Sequence, residues 1–181
     1  VQARWKFTNA NKNMITALAS TIVYTFHHIT LSLLKKYDLG LLCGSAEAVR
    51  KKDLVEFGGW KSGSLTEDIE YSLRLHKIGR KIHYLPELEC YNESPSRPID
   101  LYKQQMRWAH GVVSSYKMHG KGILTSNAIS ARHKILTLVG AFGYLIPVII
   151  ILMFLTGTAS LITHRPEPVD WARLFSELSR N

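Results

Sequence analysis

Thr66-Glu67-Asp68-Ile69-Glu70-Tyr71-Ser72-Leu73-Arg74-Leu75-His76-Lys77-Ile78-Gly79-Arg80-Lys81-Ile82-His83-Tyr84-Leu85-Pro86 reads as a helix, a stop and a strand. Glu67 and Asp68, directly after Thr66, complement the positive end of a helix dipole. Ile69, Leu73 and Leu75 form its inward side, and Gly79 supplies the residue that closes such a helix. Lys81 to Leu85 follows as a strand, ended by Pro86, which lacks a ladder N–H. Upstream the alternation recurs. Leu41-Leu42-Cys43 is a short apolar run, read as a buried strand that Gly44-Ser45 ends, and Lys52 to Phe57 is a brief helix stopped at Gly58-Gly59. Strands alternating with helices predict an α/β domain with a mostly parallel sheet and flanking helices.

Farther out, Met14, Leu18, Ile22, Phe26, Ile29 and Leu33 repeat at helical spacing within residues 12 to 36. His27, His28 and several hydroxyls interrupt the run, so it predicts an amphipathic helix and not a membrane span. Lys35 to Gly40 reads as a turn. Glu93 to Pro98 is a loop, and Asp100 is the expected N-cap of a helix carrying Gln104, Arg107 and Trp108. From Ile135 to Ile162, 28 residues carry no charge, against the roughly 20 that cross a bilayer. Gly140, Gly143 and Pro147 interrupt that run, as membrane helices tolerate.

The charge is unevenly placed. Of 23 Lys and Arg, seven lie between Asp100 and Glu167, a stretch without a carboxylate; the other 16 face 14 acidic residues. Basicity concentrated before an apolar run fits anionic headgroups and the positive-inside rule. It predicts a cytoplasmic domain, an integral membrane protein in contact with lipid, and a C-terminal tail outside the cytoplasm. Nucleic acid is excluded, because no platform of interleaved aromatic and basic residues is present. Cys43 and Cys90 lie far apart without Cys-x-x-Cys, and His27, His28, His76 and His83 show no ligand spacing. Neither a disulfide framework nor a zinc site is expected, and the thiols read as reduced. The 181 residues suit one domain, but the chain has no initiator Met and opens within a motif, so it reads as part of a longer protein.

The chemistry concentrates in two places. Asp68 is a carboxylate that can take a proton; its bland reading is a dipole partner for the helix. Gln104, Arg107 and Trp108, at i, i+3 and i+4, share a helix face. Arg107 can fork onto diphosphate oxygens and Trp108 can stack on a sugar, against the bland reading of an Arg packed over a core Trp. Cys43 is equally an inert small hydrophobe, Gly58-Gly59-Trp60 a helix stop with a core Trp, and Trp5 core.

Thr66-Glu67-Asp68 followed by Gln104-Gln105-Met106-Arg107-Trp108 resembles the signature of the membrane-integrated family 2 glycosyltransferases, the cellulose synthase-like β-glycan synthases. Val1-Gln2-Ala3-Arg4-Trp5, Leu42-Cys43-Gly44-Ser45 and Gly58-Gly59-Trp60 resemble further elements of the same family. The resemblance implies the C-terminal portion of a GT-A-like catalytic domain over residues 1–111. A basic interfacial segment over 112–133, a transmembrane helix over 134–163 and a tail over 164–181 follow. It implies that Asp68 is the catalytic base. Thr66, Glu67, Gln104, Arg107, Trp108, Cys43, Gly44, Ser45 and Trp60 would bind a nucleoside-diphosphate sugar and a glycan or lipid-linked acceptor. The family holds a divalent metal, Mg or Mn, on Asp-x-Asp. The Asp residues here are 38, 53, 68, 100 and 170, so those ligands are not in this chain, and it is expected to be inactive alone. The implied reaction is inverting transfer to a growing β-linked polysaccharide, leaning towards β-glucan or β-mannan. The rivals are a non-processive transferase acting on a lipid carrier and a silent membrane scaffold that keeps the fold.

Overall fold

A computed structural model describes residues 1–142 and 146–163. The chain divides into two units, Val1–Gly143 and Tyr144–Asn181. The first is an α/β unit with elements β1 (Gln2–Phe7), α1 (Met14–Thr25), a π-helical turn (Phe26–Leu31), α2 (Ser32–Lys35), α3 (Lys51–Glu56), α4 (Glu67–Lys77), β2 (Tyr84–Asn92), α5 (Pro98–Thr125) and α6 (Ala131–Phe142). The second contains α7 (Ile146–Thr163).

The sheet is a parallel pair, β1 beside β2, with helices flanking it, as the alternation predicts. Pro86 does not end the second strand. The register jumps from Ala3↔Leu85 to Arg4↔Glu89, so Pro86 sits in a bulge where no ladder N–H is needed, and β2 runs on to Asn92. Leu41–Cys43 is buried or half-buried but is not a strand. The amide of Leu42 donates to Ser72 Oγ (2.9 Å) and that of Cys43 to Gln2 Oε1 (2.8 Å). With those donors taken by side chains, no ladder forms.

Helix α4 follows the expectation closely. Thr66 is its N-cap, Gly79 follows its end at φ 74°, and Ile69, Leu73 and Leu75 are buried. Leu42, Tyr71, Leu75 and Ile82 pack into one apolar cluster with Val49, Leu54 and Phe57 around it. Helix α5 starts earlier than expected. Its N-cap is Arg97 and Pro98 opens it, since proline's fixed φ suits the first helical turn. Asp100 instead pairs with Arg97 (Nε–Oδ2 2.5 Å). The boundary expected at 111 falls inside α5, which is unbroken from Pro98 to Thr125.

Helix α1 is opened by a capping box in which Asn13 Oδ1 accepts from Thr16 N and Thr16 Oγ1 accepts from Asn13 N (both 2.9 Å). The α1, π and α2 segments form one helix, Met14–Lys35, long and apolar enough by composition to cross a membrane. Its buried side is nevertheless Thr16, Ala19, Ser20, Val23, His27, Leu31 and Leu34, while Met14, Leu18, Ile22, Ile29 and Leu33 are exposed. In the apolar stretch expected as one span, α6 ends at Phe142 and α7 runs over 18 residues, about 27 Å at 1.5 Å per residue. Residues 143–145 and the tail expected over 164–181 lie outside the described residues.

Candidate active site

Asp68 lies in the first turn of α4 and is only 8% exposed. Burial raises its carboxyl from the ordinary 3.8 to about 6. The backbone N–H of Ile69 opposes the rise, the Glu67 charge adds to it, and Arg107 also works against it. An aspartate that titrates just below neutrality is charged at pH 7 yet holds a proton more tightly than an ordinary one, as a general base requires. Beside it lies Gly44, at φ 74°, where an added Cβ would stand 3.2 Å from Asp68 Oδ2. The absence of a side chain keeps that face of the carboxylate open.

The Cys43-Gly44-Ser45 loop is held by side chains rather than by a sheet. Gln2, fully buried, accepts from Cys43 N and donates through Nε2 to Ser45 O (2.9 Å). Glu47 Oε2 accepts from the amides of both Cys43 and Gly44 (3.1 Å each). Burial holds the Glu47 carboxyl above its ordinary value, with the Asp68 charge adding to the rise. Burial also pushes the Cys43 thiol up, with Asp68 and Glu47 contributing. Cys43 is therefore a neutral thiol at physiological pH and not a nucleophile. Trp5 Nε1 donates to Ser45 O (3.1 Å), and the Ser45 hydroxyl donates to Asn92 Oδ1 (3.3 Å). Strand β1 thus fixes the loop, and the loop lies against Asp68.

Helix α5 brings the second half of the site. It crosses α4 closely because Gly111 faces Thr66: a Cβ there would come within 2.5 Å of Thr66 Cγ2. Thr66 Oγ1 and Ser115 Oγ lie 3.5 Å apart, and Glu70 Oε1 accepts from His119 Nε2 at 2.7 Å. This crossing aims Gln104, Arg107 and Trp108 into a cavity of about 250 Å³ that Asp68, Glu67, Thr66, Cys43 and Gly44 also line. Arg107 is exposed and donates to Leu65 O (3.4 Å), its guanidinium open to an anion. The Trp108 ring meets the Trp5 ring edge-on, with centroids 6.3 Å apart.

Eight of the ten expected site residues therefore line one cavity. Ser45 does not, and acts behind it through its carbonyl and hydroxyl. Trp60 does not either. Its ring packs on Tyr71 at 5.1 Å, and the Gly58–Gly59 turn before it is pinned by Arg74, which donates to Phe57 O and Gly59 O while paired with Glu70. That turn is part of the packing. Trp5 belongs to the site although its sequence suggests core, and Ala19, Val23, Asn92, Glu93 and Ser94 join it. The Val1–Trp5 motif was a signal for Trp5; nothing local marks Ala19 or Val23. Among the described residues no three His, Cys, Asp or Glu side chains converge as a metal site.

A parallel α/β sheet with flanking helices, a carboxylate at a helix start and an Arg–Trp helix across the cavity define a GT-A-like domain. The chain belongs to glycosyl transferase family group 2, whose description matches residues 7–166. It is similar to three proteins of Arabidopsis thaliana. One is probable glucomannan 4-beta-mannosyltransferase 1, 31% identical over 74% of this chain and 24% of that protein. Another is probable glucomannan 4-beta-mannosyltransferase 3, 32% identical over 75% of this chain and 24% of that protein. The third is glucomannan 4-beta-mannosyltransferase 9, 30% identical over 75% of this chain and 26% of that protein. The chain thus spans about a quarter of the length of the curated relatives it matches.

Proposed function

We propose that the protein to which this chain belongs is an inverting glycosyltransferase of the membrane, adding sugars from a nucleoside-diphosphate donor to a β-linked polysaccharide. The observation that carries the reading is the buried Asp68 carboxylate in one cavity with Arg107 and Trp108. The acceptor hydroxyl gives its proton to Asp68 as its oxygen attacks the anomeric carbon. The bond between that carbon and the diphosphate oxygen breaks, and the nucleoside diphosphate leaves with the electron pair. Arg107 offsets the charge developing on that oxygen, and Trp108 with Trp5 gives the acceptor ring aromatic surface. A divalent metal, Mg or Mn, would bind the donor diphosphate and neutralise part of its charge; its ligands would come from residues other than those described.

The mannan-synthesising names of the relatives favour a β-mannan or glucomannan product. The charge-free run from Ile135 to Ile162 supports attachment to a membrane, and the basic residues before it favour the cytoplasmic side for residues 1–133. The test is to supply membranes holding the full-length protein with radiolabelled GDP-mannose, GDP-glucose or UDP-glucose. Label in a polymer cut by an endo-β-mannanase is the expected result. Label only in chloroform-soluble lipid would establish the lipid-carrier transferase instead, and no transfer from any donor would leave the scaffold.

A further inference from the structure

Strand β2 ends at Asn92, and the next residue, Glu93, is exposed and lines the candidate active site. Its backbone is pinned on both sides. Thr8 N donates to Asn92 O (3.0 Å). Asn9 makes a reciprocal pair with Ser94: Asn9 Nδ2 donates to Ser94 O (2.8 Å) and Ser94 N to Asn9 Oδ1 (2.9 Å). The Ser94 and Ser20 hydroxyls, 3.0 Å apart, tie the same segment to α1. The Glu93 carboxylate, in contrast, takes part in no hydrogen bond or ion pair among the described residues. A charged group without a partner, on a backbone held this firmly, is arranged for something that is not part of the chain.

The position selects what that partner is. Glu93 follows Asn92, whose register partner on β1 is Phe7. Phe7 and Trp108 both meet Trp5 edge-on, each with its centroid 6.3 Å from it. The carboxylate therefore joins the cavity at its aromatic side. A carboxylate only accepts hydrogen bonds, with room for about four, so its partner carries donors. A nucleoside diphosphate carries like charge and is repelled. A sugar ring has both features this wall needs. Its apolar face can be covered by an aromatic ring, and its edge hydroxyls donate to a carboxylate in charge-assisted bonds stronger than neutral ones. Glu93 does not join Glu67 and Asp68 in a cation site, because among the described residues no three His, Cys, Asp or Glu side chains group together.

From this arrangement we infer that Glu93 binds hydroxyls of the acceptor's terminal sugar while Trp5 and Trp108 take its face, so that Glu93 governs acceptor recognition. The inference rests on the glycosyltransferase reading above. The donor has its own contact in Arg107, whose guanidinium is open, so losing Glu93 weakens acceptor binding more than donor use.

Glu93→Gln and Glu93→Ala in the full-length protein test it. The donor is whichever of GDP-mannose, GDP-glucose or UDP-glucose the wild type turns over, and the acceptor is the matching β-1,4-linked tetrasaccharide. Neither variant breaks a contact in the fold, so both should melt close to wild type. KM for the tetrasaccharide should rise about 10-fold in Glu93→Ala and less in Glu93→Gln, which keeps one acceptor oxygen. Donor hydrolysis by water should fall far less than transfer. Acceptors lacking one hydroxyl on the non-reducing residue give the sharper reading. At least one should raise the wild-type KM about 10-fold and barely change that of Glu93→Ala, where the bond is already absent. An unchanged KM in both variants, or equal losses from the deoxy acceptors in variant and wild type, would overturn the inference. So would parallel falls in hydrolysis and transfer, or recovery at raised Mg or Mn, which would make Glu93 a donor or metal contact. Wild-type protein that neither hydrolyses nor transfers from any donor removes the glycosyltransferase reading and this inference with it. Wild-type turnover with a normal KM in both variants removes this inference alone.

Discussion

Asp68→Asn in the full-length protein should stabilise it and abolish synthesis at once. The native state buries Asp68 and holds its carboxyl near 6, against 3.8 in an ordinary setting. Between those values the native protein binds more protons than the unfolded chain, so stability falls as pH rises from about 4 to about 6 and stays reduced above that. At about 1.4 kcal/mol per pH unit of difference, the deficit at pH 7.5 is at most roughly 3 kcal/mol. Asn has the same shape and no charge, so it relieves that deficit. Its extra amide hydrogens, placed beside Gly44, need new partners and take back about 1 kcal/mol. A net gain of roughly 1–2 kcal/mol is a rise in melting temperature of a few degrees for a domain of this size. The assay is thermal unfolding by circular dichroism at pH 7.5 and pH 4. The variant should be the more stable at pH 7.5, and at pH 4, where wild-type Asp68 is protonated too, that advantage should vanish or reverse slightly because only the amide cost remains. Polymer synthesis should fall about 10²- to 10⁴-fold, the usual effect of losing a positioned base. A gap of equal size at both pH values would refute the buried-charge argument. Wild-type synthesis in the folded variant would refute the role of Asp68 as base.

Three other outcomes follow from the same geometry. In the wild-type enzyme, kcat/KM should rise as pH passes through about 6, where Asp68 loses its proton, and level off above; a profile flat from pH 5 to pH 8 would exclude Asp68 as the titrating base. Trp108→Ala should lower polymer elongation far more than hydrolysis of the donor by water, because water does not use the aromatic surface; equal losses would place Trp108 in donor binding or folding. Gly111→Ala pushes a methyl to within 2.5 Å of Thr66 and should destabilise by about 1–3 kcal/mol, the usual cost of overpacking, visible as a lower melting temperature; an unchanged one would mean the α4–α5 crossing has slack.

Helix α4 was legible because every local signal agreed: acidic residues at its start, an apolar side, and a glycine at its end. The shared face of Gln104, Arg107 and Trp108 follows from their spacing alone, and the cavity contains all three. The stripe on Met14–Lys35 was legible as a stripe but not in its direction, since periodicity says which residues share a face and not which way it points. Pro86 misled because a bulge supplies a place in a strand where no N–H is wanted, and bulges depend on the partner's register. The most informative failure is Leu41–Cys43. An apolar, buried run reads as a strand, and what separates it from an irregular loop is the destination of its N–H groups. Those go to the side chains of Ser72 and Gln2, 30 and 41 residues away in sequence, beyond the reach of any local pattern. The departure also has a use. A Cys43–Gly44 backbone committed to a ladder would be fixed by its neighbouring strand. Held by Gln2, Glu47 and Trp5, it brings a bare glycine against the Asp68 carboxylate. Local rules are broken where the chain sets up its chemistry, and here the misread strand leads straight into the glycine that lies beside the candidate base.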